Sequence, residues 1–320
     1  MKNNLVYYEI GALLYCPANK KDIAETIINE KLGTKFSLAL CLEDTINDQF
    51  VAQAEQDLIH SVRAIYTARQ KKDFYIPKIF IRVRASEQIL RLTNALQDCI
   101  EVITGFILPK FSLQNCDEYL NAMTAANEIS SKKLYTMPIY ESNTIIDLDT
   151  RTEILYRLKE SLDNAEELIM NIRVGGNDLS HAFGFRRHVD ETIYKIRPVA
   201  NIFSDLVTVY GRDYIISGPV WEYYNGPGWE EGMLQEIKED QLCGFTGKTV
   251  IHPNQISVVN EAYKVLKADY EDALEILNWN NDSKSMVNGS HLKRRMNEYK
   301  THTNWARKIM FLSEAYGIKE

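Results

Sequence analysis

The sequence predicts an α/β protein: a (β/α)₈ barrel with a helical extension at its C-terminal end. Three observations point there. Eight short apolar runs recur along the chain, amphipathic stretches of helical spacing separate them, and charged or polar residues gather where the runs stop. Strands alternating with helices pair in parallel, and eight repeats close a barrel. The runner-up is an open doubly wound sheet. Against it, no Gly-x-Gly-x-x-Gly turn follows the first strand.

The expected strands are 12–16, 36–42, 79–83, 105–108, 134–140, 168–174, 214–216 and 249–251. After Asp48, the residues Val51, Ala54, Leu58, Val62 and Ile65 fall on one helical face. Ser86 is placed to cap a helix carrying Ile89, Leu90, Thr93 and Leu96, and Ser112 one carrying Leu113, Cys116, Leu120 and Met123. Thr150 and Glu153 have the spacing of a capping box ahead of Leu155, Leu158 and Leu162. Gln255 opens a helix with Val258, Val259, Ala262 and Leu266. Residues 278–290 are polar and aperiodic, and read as a linker between a barrel (1–277) and a C-terminal helix (291–320). The stripe Leu292, Met296, Tyr299, Trp305, Ile309, Leu312 and Tyr316 gives that helix a face to dock on the barrel or on a neighbouring subunit.

With 320 residues, 45% of them hydrophobic, the chain has enough apolar surface for a sizeable core. A net charge of −7 argues against a nucleic-acid partner. The five cysteines are odd in number and form no Cys-x-x-Cys pair, so reduced thiols are expected. The start of the chain has no signal-peptide pattern, and no apolar run is long enough to cross a bilayer. A cytoplasmic location without a membrane partner is the expectation.

In a parallel barrel the active site lies at the carboxyl ends of the strands, so the residues that end each run matter most. Glu43 and Asp44 follow the second run, Arg82 and Arg84 end the third, and Lys110 follows the fourth. Glu141 follows the fifth, Gly176, Asn177 and Asp178 the sixth, Trp221 and Glu222 the seventh, and His252 the eighth. Any single strand-end carboxylate can be explained as a helix cap. The joint pattern is harder to explain so, and an arginine inside an apolar strand is costly without a partner. Glu141 and Asp178 come from neighbouring strands and would repel unless a cation lay between them. Two hard oxygen ligands, completed by water and substrate, suit Mg²⁺; the histidines and cysteines expected of zinc are missing. Arg82 and Arg84 would clamp a carboxylate or enolate oxygen. Such machinery makes or breaks a C–C bond beside a carbonyl.

Several segments resemble the citrate lyase β-subunit/HpcH–HpaI aldolase superfamily. Residues 13–19 (Leu-Leu-Tyr-Cys-Pro-Ala-Asn) are similar to its opening motif, and 40–45 (Leu-Cys-Leu-Glu-Asp-Thr) to its Leu-Asp-Leu-Glu-Asp-Ala. Ile81-Arg82-Val83, residues 105–110 (Gly-Phe-Ile-Leu-Pro-Lys) and 139–142 (Ile-Tyr-Glu-Ser) match further blocks in order. So do 175–179 (Gly-Gly-Asn-Asp-Leu) and 244–255 (Gly-Phe-Thr-Gly-Lys-Thr-Val-Ile-His-Pro-Asn-Gln). The resemblance implies a (β/α)₈ barrel, Mg²⁺ on Glu141 and Asp178, substrate contact by Arg82, and support from Glu43 and Asp44. Gly11-Ala12 stands where the family carries Arg-Ser, and Asn177 replaces a glutamate. The 221–229 loop has no obvious match in the acyl-CoA relatives. These departures resemble the branch of C–C bond lyases associated with tellurite-resistance gene clusters.

The expected function is a Mg²⁺-dependent carbon–carbon lyase or aldolase acting on an oxo- or hydroxy-acid, free or as its CoA thioester, through a metal-stabilised enolate. Glu141 and Asp178 would hold the metal; Arg82, Glu43 and Asp44 would be catalytic. Arg82, Arg84, Lys110, Gly176, Asn177, Arg186 and Trp221 would contact the substrate. A homo-oligomer, trimer or hexamer, is expected. The alternatives are an aldol-type condensing enzyme in a biosynthetic pathway and a catalytically inactive barrel serving as a partner-binding scaffold. The run 180–188, rich in His and Arg, would read a phosphate or carboxylate or merely start a helix.

Overall fold

The computed structural model describes residues 2–280 and 285–320. Each of the eight expected runs holds a strand, the sixth only in its last three residues and the seventh only at Ile216: β1 (Ala12–Pro17), β2 (Phe36–Cys41), β3 (Lys78–Arg82), β4 (Ile103–Leu108), β5 (Tyr135–Tyr140), β6 (Ile172–Val174), β7 (Ile216–Ser217) and β8 (Lys248–Val250). They pair in parallel in the order β7-β6-β5-β4-β3-β2-β1-β8. A parallel bridge between Gly218 and Lys248 joins the two ends, so the sheet is a (β/α)₈ barrel rather than an open sheet.

Strand alternation sorts side chains to two sides. Leu13, Ala39, Phe80, Ile107, Met137 and Ile139 fill the barrel. Their neighbours, among them Leu14, Leu38, Ile81, Phe106 and Leu108, face the helices and join the larger core. That outer ring runs in order as α1 (Ile23–Ile28), α2 (Val51–Arg69), α3 (Glu87–Ala95), α4 (Cys116–Ile129), α5 (Leu148–Asn164), α6 (Gly176–Ala182), α7 (Arg197–Tyr210), α8 (Trp229–Cys243) and α9 (Asn254–Ala262). The N-terminus of α5 differs from expectation. It starts at Leu148 with the Asp147 side chain accepting from the Asp149 N–H, so Thr150 and Glu153 lie inside the helix. Gly105 is required where β4 meets β5: a Cβ there would fall 1.8 Å from the Tyr135 carbonyl oxygen.

Beyond the barrel, β9 (Val265–Leu266) leads into α10 (Lys267–Leu277). Residues 281–284 of the expected linker lie outside the described residues. Within the same stretch, β10 (Val287–Gly289) pairs antiparallel with β11 (Met296–Glu298), so part of it is a hairpin. The final helix, α11 (Tyr299–Tyr316), therefore begins later than residue 291. It packs on α10 through Ala273, Ile276 and Ala306, and β12 (Ile318–Lys319) pairs with β9. Phe311 stacks on Tyr8 at 4.8 Å, and the Tyr316 hydroxyl donates to the Tyr8 carbonyl at 2.7 Å. Cys16, Cys41, Cys99 and Cys116 are buried free thiols and Cys243 an exposed one. No described helix is long and apolar enough to cross a membrane.

Candidate active site

Residues at the carboxyl ends of β2, β3, β5 and β6, with others from β1, β8 and the loop after β7, line one cavity of about 470 Å³. Arg82, the last residue of β3, points inward and is nine-tenths buried. Its Nη2 lies 2.8 Å from Glu43 Oε2, 3.0 Å from Asp44 Oδ2 and 3.1 Å from Glu141 Oε1. Three carboxylates from the ends of two other strands therefore share one guanidinium, which offsets its burial. Lys110, just past β4, adds a second cation: Nζ lies 2.7 Å from Glu43 Oε1 and 3.2 Å from Asp44 Oδ1. Its backbone is left-handed at φ 49°, and its N–H donates to Glu141 Oε1 at 3.0 Å. One residue thus serves both acid groups at once, in a conformation L-residues seldom adopt.

Asp178 stands on the first turn of α6, directly after Gly175 and Gly176. A Cβ on Gly175 would sit 2.5 Å from Glu141 Oε2, so the glycine keeps that oxygen uncovered. Gly176 is equally confined: its Cβ would lie 2.5 Å from Ile193 Cδ1. Burial, reinforced by the negative charge of Asp178 against the pull of Arg82, pushes the Glu141 carboxyl up to about 7. Burial and the adjoining Asp44 also raise Glu43. Asp44 is lowered: burial pushes it up, but the hydrogen bond with Glu43 and the charges of Arg82 and Lys110 outweigh that. The two neighbouring carboxyls are thus pushed in opposite directions.

The other expected site residues are distributed differently. Asn177 and Arg186 line the cavity; Arg186 is largely exposed and lies 3.4 Å from Glu222. Arg84 turns away: its guanidinium donates to the Leu42, Glu43 and Ile46 carbonyls and pairs with Asp48, tying down the loop after β2. Trp221 is fully buried, with Nε1 donating to the Trp229 carbonyl and Arg187 above its ring. Its role is packing behind the site. Arg187 is likewise taken up, bonding to Glu236 and the Val220 carbonyl. His252 stacks on Tyr224 at 4.5 Å and accepts the Asn254 N–H.

The 244–255 segment is a scaffold. Lys248 faces α8, where Nζ lies 2.9 Å from Glu236 and 2.7 Å from Asp240, all three fully buried. Gln255 accepts the Ile251 and His252 N–H groups through Oε1 and donates through Nε2 to the Trp221 and Tyr223 carbonyls. It joins the loops after β7 and β8.

Two oxygen ligands beside an uncovered carboxylate edge fit a hard divalent ion such as Mg²⁺. Among the described residues no group of three or more His, Cys, Asp or Glu side chains is gathered so that it could hold a metal ion.

The chain is a closed parallel barrel with paired acids and an arginine at its mouth. A family model for C–C bond lyases of the TIM-barrel fold matches residues 4–318, and the chain belongs to that family. Mitochondrial citramalyl-CoA lyases of Rattus norvegicus and Mus musculus are each 56% identical over 34 residues, 11% of this chain and about a tenth (10%) of theirs. A citrate lyase from Burkholderia xenovorans superposes with a TM-score of 0.69 at 12% identity, covering 97% of this chain and 93% of that one. The Mycobacterium tuberculosis CitE protein in complex with magnesium, acetoacetate and coenzyme A gives 0.61 at 15% identity, covering 96% and 99%. These two likenesses establish the shared fold.

Proposed function

We propose that the protein is a Mg²⁺-dependent lyase that cleaves a C–C bond in an oxo- or hydroxy-acid. The observation that carries this reading is the Arg82 guanidinium held within 3.1 Å of Glu43, Asp44 and Glu141 in the cavity that Asp178 also lines. Glu141 and Asp178 are the residues to hold the ion. Bound there, Mg²⁺ supplies Lewis-acid polarisation of a substrate carbonyl, which lowers the cost of the negative charge left by bond cleavage. Arg82 binds the acid end of the substrate and offsets the charge that develops. Glu43 or Asp44 relays the proton exchanged with the substrate, and Lys110 keeps the pair at the mouth of the barrel. Supporting context comes from the CitE protein of M. tuberculosis, solved with magnesium and pyruvate, and with oxaloacetate and magnesium.

Calorimetry tests this directly. The wild-type protein should bind Mg²⁺, and then pyruvate or oxaloacetate in its presence. Asp178→Ala should lose Mg²⁺ binding; unchanged affinity in that variant refutes the ligand assignment. Titration with acetyl-CoA shows whether a thioester is accepted.

A further inference from the structure

A second cavity, of about 500 Å³, lies between α8, the turn before β8, the residues after α9 and the final helix α11. It shares no lining residue with the cavity around Arg82, which opens at the other ends of the strands. Its size falls within the range of small-molecule sites, about 300–1,000 Å³. The apolar stripe of α11 is only partly sealed: Ala306 is fully buried against α10, whereas Trp305, Ile309 and Leu312 border this cavity. Phe245 and Tyr263, both buried, complete the apolar lining. The charged lining is four lysines, Lys238, Lys264, Lys308 and Lys319, against one acid, Asp269. Asp269 is already paired with Arg295 at 2.7 Å, and Lys264 with Glu261 at 2.6 Å. Lys308 has one hydrogen bond among the described residues, to the Gly244 carbonyl at 3.3 Å, and no carboxylate within ion-pair reach. The carboxyl end of α8 favours a cation there, yet one carbonyl satisfies one of three ammonium donors. Burial without a carboxylate pushes Lys308 below the ordinary lysine value. In a chain of net charge −7, a cavity whose unmatched charge is positive runs against the overall balance.

We propose that this cavity binds an amphiphilic organic anion, with its apolar body against Phe245, Trp305, Ile309 and Leu312 and its anionic head on Lys308. The site is separate from the one that carries the lyase reading and does not depend on it. Neither half of the lining explains such a ligand alone. A lysine facing water holds a simple anion weakly, and a neutral apolar guest would leave the ammonium without a partner.

Octanoate and octanamide test this, because they share a chain and differ in charge. At neutral pH, calorimetry should show wild-type protein binding octanoate roughly tenfold or more tighter than octanamide. Lys308→Met keeps the apolar stem and should bring the two within about threefold, with octanamide affinity unchanged. Equal binding of the two by wild type, or an undiminished preference in Lys308→Met, overturns the proposal. Leu312→Trp covers the case in which the methionine variant does not fold. It fills the cavity and should weaken octanoate by about tenfold or more, and unchanged binding overturns the proposal. Inorganic phosphate has charge without an apolar body and should bind about tenfold or more weaker than octanoate; equal binding makes the lysines a plain anion patch and overturns it. Arg82→Lys should bind octanoate like wild type; weakened binding would place octanoate in the active-site cavity and overturns the second site. A second copy of the chain seated on α11 is the rival occupant, and a fall in sedimenting mass on adding octanoate overturns the small-molecule reading.

Discussion

Gly175→Ala is the smallest change that reaches the acid pair, and its consequence can be worked from the coordinates. The glycine has φ −93°, which any residue adopts, so the substitution adds no backbone strain and acts only through the new methyl group. That methyl would stand 2.2 Å from Glu141 Cβ and 2.5 Å from Oε2, where ordinary contact starts at 3.4 Å. The two must part by about 1.2 Å. Metal–ligand distances tolerate only about 0.2 Å and a catalytic constellation about 0.5 Å. Glu141 is in addition held by the Arg82 guanidinium and the Lys110 N–H, so it has little freedom to retreat. The overpacking should cost about 1–3 kcal/mol of stability and weaken Mg²⁺ binding by about tenfold or more. Thermal melting and Mg²⁺ calorimetry read both effects. A variant that binds Mg²⁺ like wild type would refute the claim that Gly175 keeps the Glu141 edge open for an ion.

Other substitutions probe separate parts of the argument. Arg82→Lys keeps the charge but loses the planar guanidinium whose Nη2 faces three carboxylates, and should lower kcat/KM by about a hundredfold or more with the fold intact, as circular dichroism would verify. Lys248→Met leaves Asp240 buried without its cation and Glu236 with Arg187 alone, and should cost about 3–5 kcal/mol in denaturant unfolding. A Lys248→Met/Asp240→Asn double variant should recover part of that loss, and strict additivity of the two would refute the coupling. Gly105→Ala should be among the most damaging single changes outside the site, read as loss of soluble, folded protein, because its methyl would land on the β5 backbone.

The barrel was legible because period-two and period-3.6 patterns follow burial directly, and burial is what eight strands and their helices share. The acid pair and Arg82 were legible for a related reason, since charged residues at the ends of apolar runs have few places to go. What each side chain reaches was not legible. Arg84 and Arg187 carry the same chemistry as Arg82, yet short loops bring carbonyls and Glu236 within their reach and occupy them. Trp221 reads as a recognition aromatic and is instead a packed wall. Lys248 sits in the most specific motif of the chain, but strand parity turns it outward into α8. Arg173 lines the same cavity as Arg82 from mid-strand, where the signal that marks Arg82, an arginine within an apolar run, applies equally.

The joint between β7 and β8 bears on where the molecule yields first. β7 contributes only Ile216 and Ser217, and a few backbone bonds around Gly218, such as its N–H to the Gly247 carbonyl, close the ring there. Side-chain charge from Lys248, Glu236 and Asp240 rivets what the short ladder cannot. Because that rivet is dry, added salt should leave it in place, whereas an acid or amide swap within it should loosen one flank of the cavity before the rest of the ring. Adaptation to a new substrate would then find its freedom at this joint, where the wall can be reshaped without unpicking the other seven ladders.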